Sequence, residues 1–498
     1  MRLSQTSSVA HHAGRAGRLL LLVTVLGSLV GCAVGPKYQT PTVPTPPAYK
    51  EIGNWKTAQP GDDKLDGNWW EIFHDQQLNA LEQQINVSNQ NLKAAVAQYQ
   101  GARAALRYAR ADYYPTVTTD PFAMRERYSA NLPASANRGL TFNDFALPVD
   151  LSYQVNAWGR VSRNVESYRE QTQASAADLA VVNLTMHADL AVDYFAARAL
   201  DAEQKLLQDT VAQYQQALQF NEDRYQGGLA SEVEVEQART ILETTRAQLV
   251  DVGVARAQYE HAAAVLVGKA PADFTLPPLP LTTPPPPIPV GVPSELLERR
   301  PDIAGAERRV ASANAQVGLA RTAYYPLVNL VASGGLESGA LASLVQGPSA
   351  LWAVAGSAMY TIFDAGRRRA EKDQAKAAYD SSVASYRQTV LSAFQQVEDN
   401  LAALQVLEHE AGVQATAVQS AQRSLNLSNM RYEGGATSYL EVITAQNAAL
   451  SDEVTAVNIL GRRMASAVLL IEALGGGWDS SHLPSPHALV AESAHVTP

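Results

Sequence analysis

Arg224-Tyr225-Gln226-Gly227-Gly228 returns as Arg431-Tyr432-Glu433-Gly434-Gly435, 207 residues further on. The register holds on both sides: Ser231 aligns with Ser438, Glu234 with Glu441, Val235 with Val442, Ala238 with Ala445 and Gly268 with Gly475. Upstream, Gly159-Arg160 falls on Gly366-Arg367, and Tyr113-Tyr114-Pro115 meets Tyr324-Tyr325-Pro326 after a small shift. A match sustained over this length means two halves of one plan in a single chain. Each Gly-Gly pair closes a long helical run and precedes another, so it reads as the turn between a helix and its return.

The runs before those turns are unusual. Residues 160–224 and 366–431 contain no proline. In the first, Leu179, Val182, Met186, Leu190, Tyr194, Ala197, Leu207, Val211, Tyr214 and Leu218 recur mostly every three or four residues, the spacing of a coiled-coil seam. Some 65 continuous helical residues span about 100 Å, far more than a globular helix. Shorter helices are expected over Gln76–Asp112 and Ser294–Ala323, both stopping near Tyr-Tyr-Pro. Between short and long helices lie strands. In 145–157, Phe145, Leu147, Val149, Leu151, Tyr153 and Val155 alternate with Ala146, Pro148, Asp150, Ser152, Gln154 and Asn156, a period of two with one apolar and one mainly polar face. Segments 115–130, 326–336 and 349–363 are weaker strand candidates. The order in each half is therefore helix, two strands, long helix, turn, helix.

Four strands cannot close a barrel through a bilayer, where the smallest single-chain barrels have eight and an open edge leaves backbone groups unsatisfied. If they cross a membrane, several chains must share one barrel.

The halves are joined by Pro277, Pro278, Pro280, Pro284–Pro287, Pro289 and Pro293, too short of backbone donors for helix or central strand. At the other end, Arg2, Arg15 and Arg18 precede an apolar run from Leu19 to Val30, closing on Leu29-Val30-Gly31-Cys32. That core is too short for a permanent span and fits a secretory signal whose end resembles a lipoprotein cleavage site. Cys32 is the sole cysteine, so it forms no internal disulfide; acylation there makes it a membrane anchor. Ala33, where an acid would resemble an inner-membrane retention signal, favours the outer membrane. The expected divisions are 1–31 signal, 32–75 extended lipidated tether, 76–275 first repeat, 276–293 linker, 294–478 second repeat and 479–498 flexible tail. No later stretch reads as a transmembrane helix. Removal of the signal leaves 36 basic against 49 acidic side chains, with no broad basic surface for nucleic acid.

Cys32-Ala33-Val34-Gly35-Pro36-Lys37-Tyr38, the stretch from Ile288 to Ile303 with its Glu298-Arg299-Arg300-Pro301-Asp302, and both Gly-Gly turns together resemble the TolC-like outer-membrane efflux proteins, in the NodT- or OprM-type lipoprotein branch. The resemblance implies a mainly α chain with a small β part: a trimeric α-barrel reaching through the periplasm, and four strands per protomer building a twelve-stranded transmembrane barrel. It implies a periplasmic adaptor and an inner-membrane transporter, usually of the proton-driven RND class, as partners. The function it implies is a passive exit duct without cofactor, metal or catalytic residues; the only covalent group is lipid on Cys32. A type I protein-secretion outlet shares the whole plan, and a non-channel periplasmic coiled-coil lipoprotein shares the helices and anchor.

Glu234 and Glu441 follow the turns Gly227-Gly228 and Gly434-Gly435. By resemblance, acids here ring the periplasmic constriction, six in a trimer, favouring cations. Both also sit in Ser-x-x-Glu capping boxes, Ser231 to Glu234 and Ser438 to Glu441, where the carboxylate satisfies helix donors. Tyr225 and Tyr432 resemble residues that lock the closed tip; plain packing is the simpler role. An arginine that the family places two residues after Gly435 is Thr437 here, so any lock must use other contacts. Arg160, Arg163 and Arg367–Arg369 read as a solvated junction between strands and helices. His187, His261 and His409 sit singly in helical segments, where a satisfied or solvent-facing imidazole is the default, and no phosphate loop or metal-spaced cluster appears.

Overall fold

The computed structural model describes residues 34–52, 67–131, 139–486 and 488–491; the signal, Cys32 and Ala33 lie outside them. In chain order the first repeat has α1 (Gln76–Ser88), α2 (Gln90–Ala111), β1 (Thr116–Thr118), β2 (Phe122–Arg127), β3 (Thr141–Gln154), α3 (Arg160–Gln226) and α4 (Glu232–Leu266). The second has α5 (Leu296–Arg299), α6 (Pro301–Thr322), β4 (Leu327–Ser338), β5 (Ala350–Met359), α7 (Arg367–Glu433) and α8 (Tyr439–Ala473), with a short α9 (Ala488–Ala491) beyond.

Helices α3 and α7 each run 67 residues without a break, about 100 Å of rod. Near the strands the packing order is α2, α3, α6, α7; toward the Gly-Gly turns it is α4, α3, α8, α7. The four long tracks thus pack side by side, with α2 and α4 on one flank and α7 on the other.

The first helices are not continuous as the sequence suggests. The first breaks at Asn89, whose Oδ1 accepts from Leu92 N (2.9 Å) to start α2 while its Nδ2 donates to Leu266 O (2.7 Å). The second breaks at Arg300, extended at φ −104°, ψ 123°, because the residue before Pro301 is driven out of the helical region. The return helices end against these breaks. Gly268 and Gly475 are left-handed (φ +73° and +95°), and a Cβ on them would lie 2.4 Å from Ser88 O and 2.1 Å from Arg299 O. Only glycine supplies that turn at that approach, which explains the matched pair in the two halves.

Around these breaks sits the largest core, a belt built from Trp69, Trp70, Ile85, Phe195, Leu276, Val290, Val397, Leu401 and Ile471. Several buried polar side chains here are tied to one another, although Tyr49 Oη and Arg198 Nε have no hydrogen-bond partner among the described residues. Asp201 accepts from Arg198 Nη1 (3.1 Å), Arg256 Nε (3.1 Å) and Leu279 N (2.8 Å), tying α3 and α4 to the proline-rich linker. Arg198 also donates to Pro277 O (2.5 Å) and lies over the Tyr194 ring. His187 Nδ1 meets Glu82 Oε2 at 2.6 Å beneath the stacked Trp70 ring. Burial pushes Glu82 well above the usual carboxylate range and His187 down to about 4. Burial thus disfavours the charged form of both, and in the neutral pairing the Glu82 carboxyl donates to Nδ1 while Nε2–H donates to Asn86 Oδ1 (3.3 Å).

Three expectations change at the periphery. The segment ahead of α1 is not wholly extended: Trp69–Phe73 forms a 3-10 turn that supplies the belt's aromatics. Of the tail, the described residues 479–486 and 488–491 are partly held: Gln173 Nε2 donates to Pro484 O (2.9 Å) and Leu489 is buried, while 492–498 lie outside the described residues. Helix α8 is long and apolar enough to cross a membrane by composition. About a third of its apolar stretch is buried inside the chain, with Ile459, Met464, Val468 and Ile471 against α7 and α3.

Candidate functional site

The chain has two chemically distinct ends. At one, β1, β2, β3, β4 and β5 form an antiparallel meander in the order β1/β2–β3–β4–β5. β1 and β2 keep one register against β3 (Thr116 opposite Ser152, Phe122 opposite Ala146) and are two pieces of one strand, interrupted around Pro121. Pairing fixes the faces. One carries Phe145, Leu147, Val149, Leu151 and Tyr153, with Leu336, Ala332 and Leu330 opposite on β4 and Trp352 and Val354 beyond on β5. The other carries Asp144, Asp150, Ser152, Gln154, Ser333, Asn329 and Ser357. Trp352 is 81% and Val354 74% exposed, so the apolar face has no protein against it. Nor do β1/β2 and β5 have a partner on their outer edges among the described strands.

Where the strands give way to helices, aromatics gather. Trp158 stacks on Tyr325 (5.1 Å) and donates to Pro326 O (2.8 Å), while Tyr114, Tyr360 and Phe363 are exposed nearby in sequence. Tyrosine and tryptophan at such a level mark a membrane–water boundary. The junction arginines divide: Arg160, Arg367 and Arg369 are exposed, whereas Arg163 and Arg368 are held by partners. Arg163 is buried, donating to Val34 O (3.2 Å) and Glu166 (2.7 Å); Arg368 pairs with Asp364 (2.6 Å) between the Tyr324 and Tyr360 rings. Arg369 stays exposed, 3.9 Å from Asp373. Val34 N donates to Trp158 O (3.3 Å) and Asn314 to Pro36 O (3.3 Å), so the chain leaving Cys32 is pinned at the aromatic level. It then follows α6 and α7, with Tyr38 on Glu307 and the Lys50 and Glu51 amides on Glu398.

At the other end are the Gly-Gly turns. Gly228 and Gly435 are left-handed at φ +72°, while Gly227 and Gly434 are right-handed at −76°. The 6→1 bonds Leu229 N to Arg224 O and Ala436 N to Arg431 O (both 2.8 Å) close each helix. Only the second glycine of each pair is demanded by conformation.

The matched residues then diverge. Glu234 completes a capping box with Ser231. Glu441 does not: it is bound by Arg431 (2.8 Å) and by the Thr437 hydroxyl. Thr437, standing where an arginine was expected, thus joins the contact instead of breaking it. Tyr225 is half exposed, whereas Tyr432 is buried and donates to Asn221 Oδ1 and toward Glu234 Oε2 (3.3 Å). Burial, reinforced by the Glu234 carboxylate, pushes the Tyr432 phenol up to about 12, so it remains a donor. Arg224 covers the Tyr432 and Phe220 rings at 5.0 and 5.6 Å. Asn221, wholly buried, lay in a run read only for apolar spacing, and its partner is 211 residues away; no local signal marked it.

The family model "Outer membrane efflux protein" matches residues 81–269 and 292–476. The chain belongs to that family. Among curated relatives, the toluene efflux pump outer membrane protein TtgC of Pseudomonas putida is 32% identical over 463 residues, covering 92% of this chain and 96% of that protein. The cation efflux system protein CusC of Escherichia coli K12 is 30% identical, covering 92% and 99%. Among solved structures, the outer-membrane channel OprN matches with a TM-score of 0.84 at 27% identity, covering 90% of this chain and all of that one. As an outer membrane efflux protein, the chain places its sheet in the outer membrane and its helices in the periplasm.

Proposed function

We propose that three copies of this chain form the exit duct of a tripartite pump, passing small molecules from periplasm to exterior without chemistry of their own. A periplasmic adaptor and an inner-membrane transporter of the RND class supply connection and energy. The observation that carries the reading is the unfinished sheet: one apolar face, one polar face and two unpaired edges. In lipid every backbone group needs an internal partner, and three such sheets joined edge to edge give twelve strands. TtgC and CusC, named for toluene and cation efflux pumps, favour export of small solutes over polypeptides. Purification in detergent tests this: a mass three times that of the mature chain and ion-conducting steps in a planar bilayer are expected, and a non-conducting monomer refutes it.

Acylation of Cys32 completes the anchor. The tether pinned beside Trp158 delivers residue 34 to the boundary level, where acyl chains enter the inner leaflet. Cys32→Ser is expected to abolish labelling by radioactive palmitate; labelling that persists refutes the assignment.

The tip is the gate. Tyr432 of α7 bonds Asn221 of α3 and reaches Glu234 of α4, so it fastens one hairpin to the other, while Arg431 and Thr437 hold Glu441. The half-exposed Tyr225 is available to a neighbouring protomer. Opening must break the Tyr432 bonds, each worth about 1 kcal/mol and more where a carboxylate accepts. Tyr432→Phe is expected to raise the open probability in bilayers several-fold, with the melting temperature little changed. An unchanged open probability would leave packing as its role. Beside the latch, a groove of about 630 Å³ runs between α4 and α8, with exposed Val233 and Leu440 along it, and offers the adaptor an apolar seat.

A further inference from the structure

The sheet sorts its charges by face. Its strands carry Glu126, Asp144, Asp150 and Glu337, and all four lie on the polar side. Glu126 pairs with Phe142 and Asp150 with Ser333, while Glu337 pairs with Ala146. The two basic residues of the strands, Arg125 and Arg127, pair with Asn143 and Thr141 on the opposite side, at the end farthest from the helices.

Which side faces the lumen follows from cost. A charge on the lipid face near the bilayer midplane costs about 2–4 kcal/mol, whereas Leu147, Val149, Leu151, Trp352 and Val354 on the other face are suited to hydrocarbon. The acid-bearing side therefore lines the channel. Asp144 stands opposite Met124, one step from Glu126, and one step from Glu337 across β4. Diagonal neighbours lie about 7–8 Å apart, so three strands share one band of negative charge, with Asp150 below it.

The tip carboxylates are differently placed. Glu441 is paired with Arg431 (2.8 Å) at the surface, so its charge has a counter-charge beside it, and Glu234 is engaged by its helix cap and Tyr432. Resting on the duct reading above, we propose that the charge preference of the open channel is set in the outer-membrane barrel, by Asp150 and the Glu126–Asp144–Glu337 band, and not at the tip. Cations and amine-bearing solutes pass in preference to anions. Four carboxylates per chain, with no basic side chain on the same strand faces, make a wall potential of one sign that concentrates cations. Screening weakens it as salt rises, since the Debye length falls from about 10 Å at 0.1 M to about 3 Å at 1 M.

The full mature chain in planar bilayers under a steep KCl gradient tests this. The native channel is expected to show a cation-selective reversal potential that loses most of its size in the Glu126→Gln, Asp144→Asn, Asp150→Asn, Glu337→Gln variant and keeps it in the Glu234→Gln, Glu441→Gln variant. The reverse pattern, or a conducting sheet variant with the native reversal potential, overturns the inference and leaves the duct standing. Absence of conduction in the native chain would count against the duct itself.

A second measurement keeps the acids in place. Ser333→Cys puts a thiol on the polar face between Asp150 and Ala353, in a chain whose single native cysteine is Cys32. Its thiolate displaces sulfinate from a methanethiosulfonate and forms a mixed disulfide. A cationic reagent is expected to react about tenfold faster than an anionic one at low salt, with the ratio collapsing near 1 M KCl; equal rates at low salt overturn the inference.

Discussion

Asp201→Ala is expected to destabilise the folded chain by about 3–5 kcal/mol, the loss seen when one partner of a buried ion pair is removed. The side chain is fully buried and receives Arg198, Arg256 and the Leu279 amide. Its removal leaves the Arg198 guanidinium, only 2% exposed, without its carboxylate in a site that water does not reach. The linker loses one of its bonds to α3, that of the Leu279 amide, while those from Arg198 to Pro277 O and from Leu281 N to Arg198 O remain. Asp201→Asn keeps the volume and one acceptor, so a smaller loss is expected, the missing part being the charge. Urea midpoints of the detergent-solubilised protein give both values. A loss under about 1 kcal/mol for the alanine variant would mean that water or a neighbouring carboxylate such as Glu260, which also meets Arg256, replaces Asp201.

Leu151→Arg is expected to prevent accumulation of assembled protein in the outer membrane, whereas Ser152→Arg, one residue on, should assemble. Leu151 pairs with Val117 and Ala332 on the apolar face; Ser152 pairs with Thr116 and Val331 on the polar face. An arginine facing lipid costs up to about 2–4 kcal/mol at the midplane and less toward the boundary, and in the proposed trimer that cost is incurred three times. The neighbouring substitution places its guanidinium in water and should instead weaken the cation preference of the channel. Fractionation and heat-modifiable migration in gels separate the outcomes. Equal assembly of both variants would mean that the faces have been assigned the wrong way round.

Much of this architecture is written in periodicities. The two 67-residue helices follow from runs without proline, the turns from glycine pairs, and β3 from strict alternation. What escaped were features created by partners distant in the chain. The break at Asn89 depends on Leu266, 177 residues away. The burial of Glu82 and His187 depends on a pairing between α1 and α3 under Trp70, so an isolated histidine in a helical pattern gave no sign of a partner. Two similar Ser-x-x-Glu sequences give a capping box at Glu234 and an ion pair at Glu441, because Arg431 and Thr437 surround the second and have no counterpart bonding at the first. Helix α8 reads as an ordinary helix because polar residues interrupt it, although it is long and apolar enough to cross a membrane.

The divergence at the paired turns reaches beyond the gate. In the proposed trimer six hairpin ends would meet at the tip, yet α3/α4 and α7/α8 do not offer the same chemistry: one ends in an exposed tyrosine, the other in a buried one. Identical adaptor subunits arriving at that rim would meet two kinds of berth in alternation. Their binding should therefore fill in two stages of unequal strength, and the dilation of the rim should keep a threefold axis where the duplicated sequence alone suggests six equal steps.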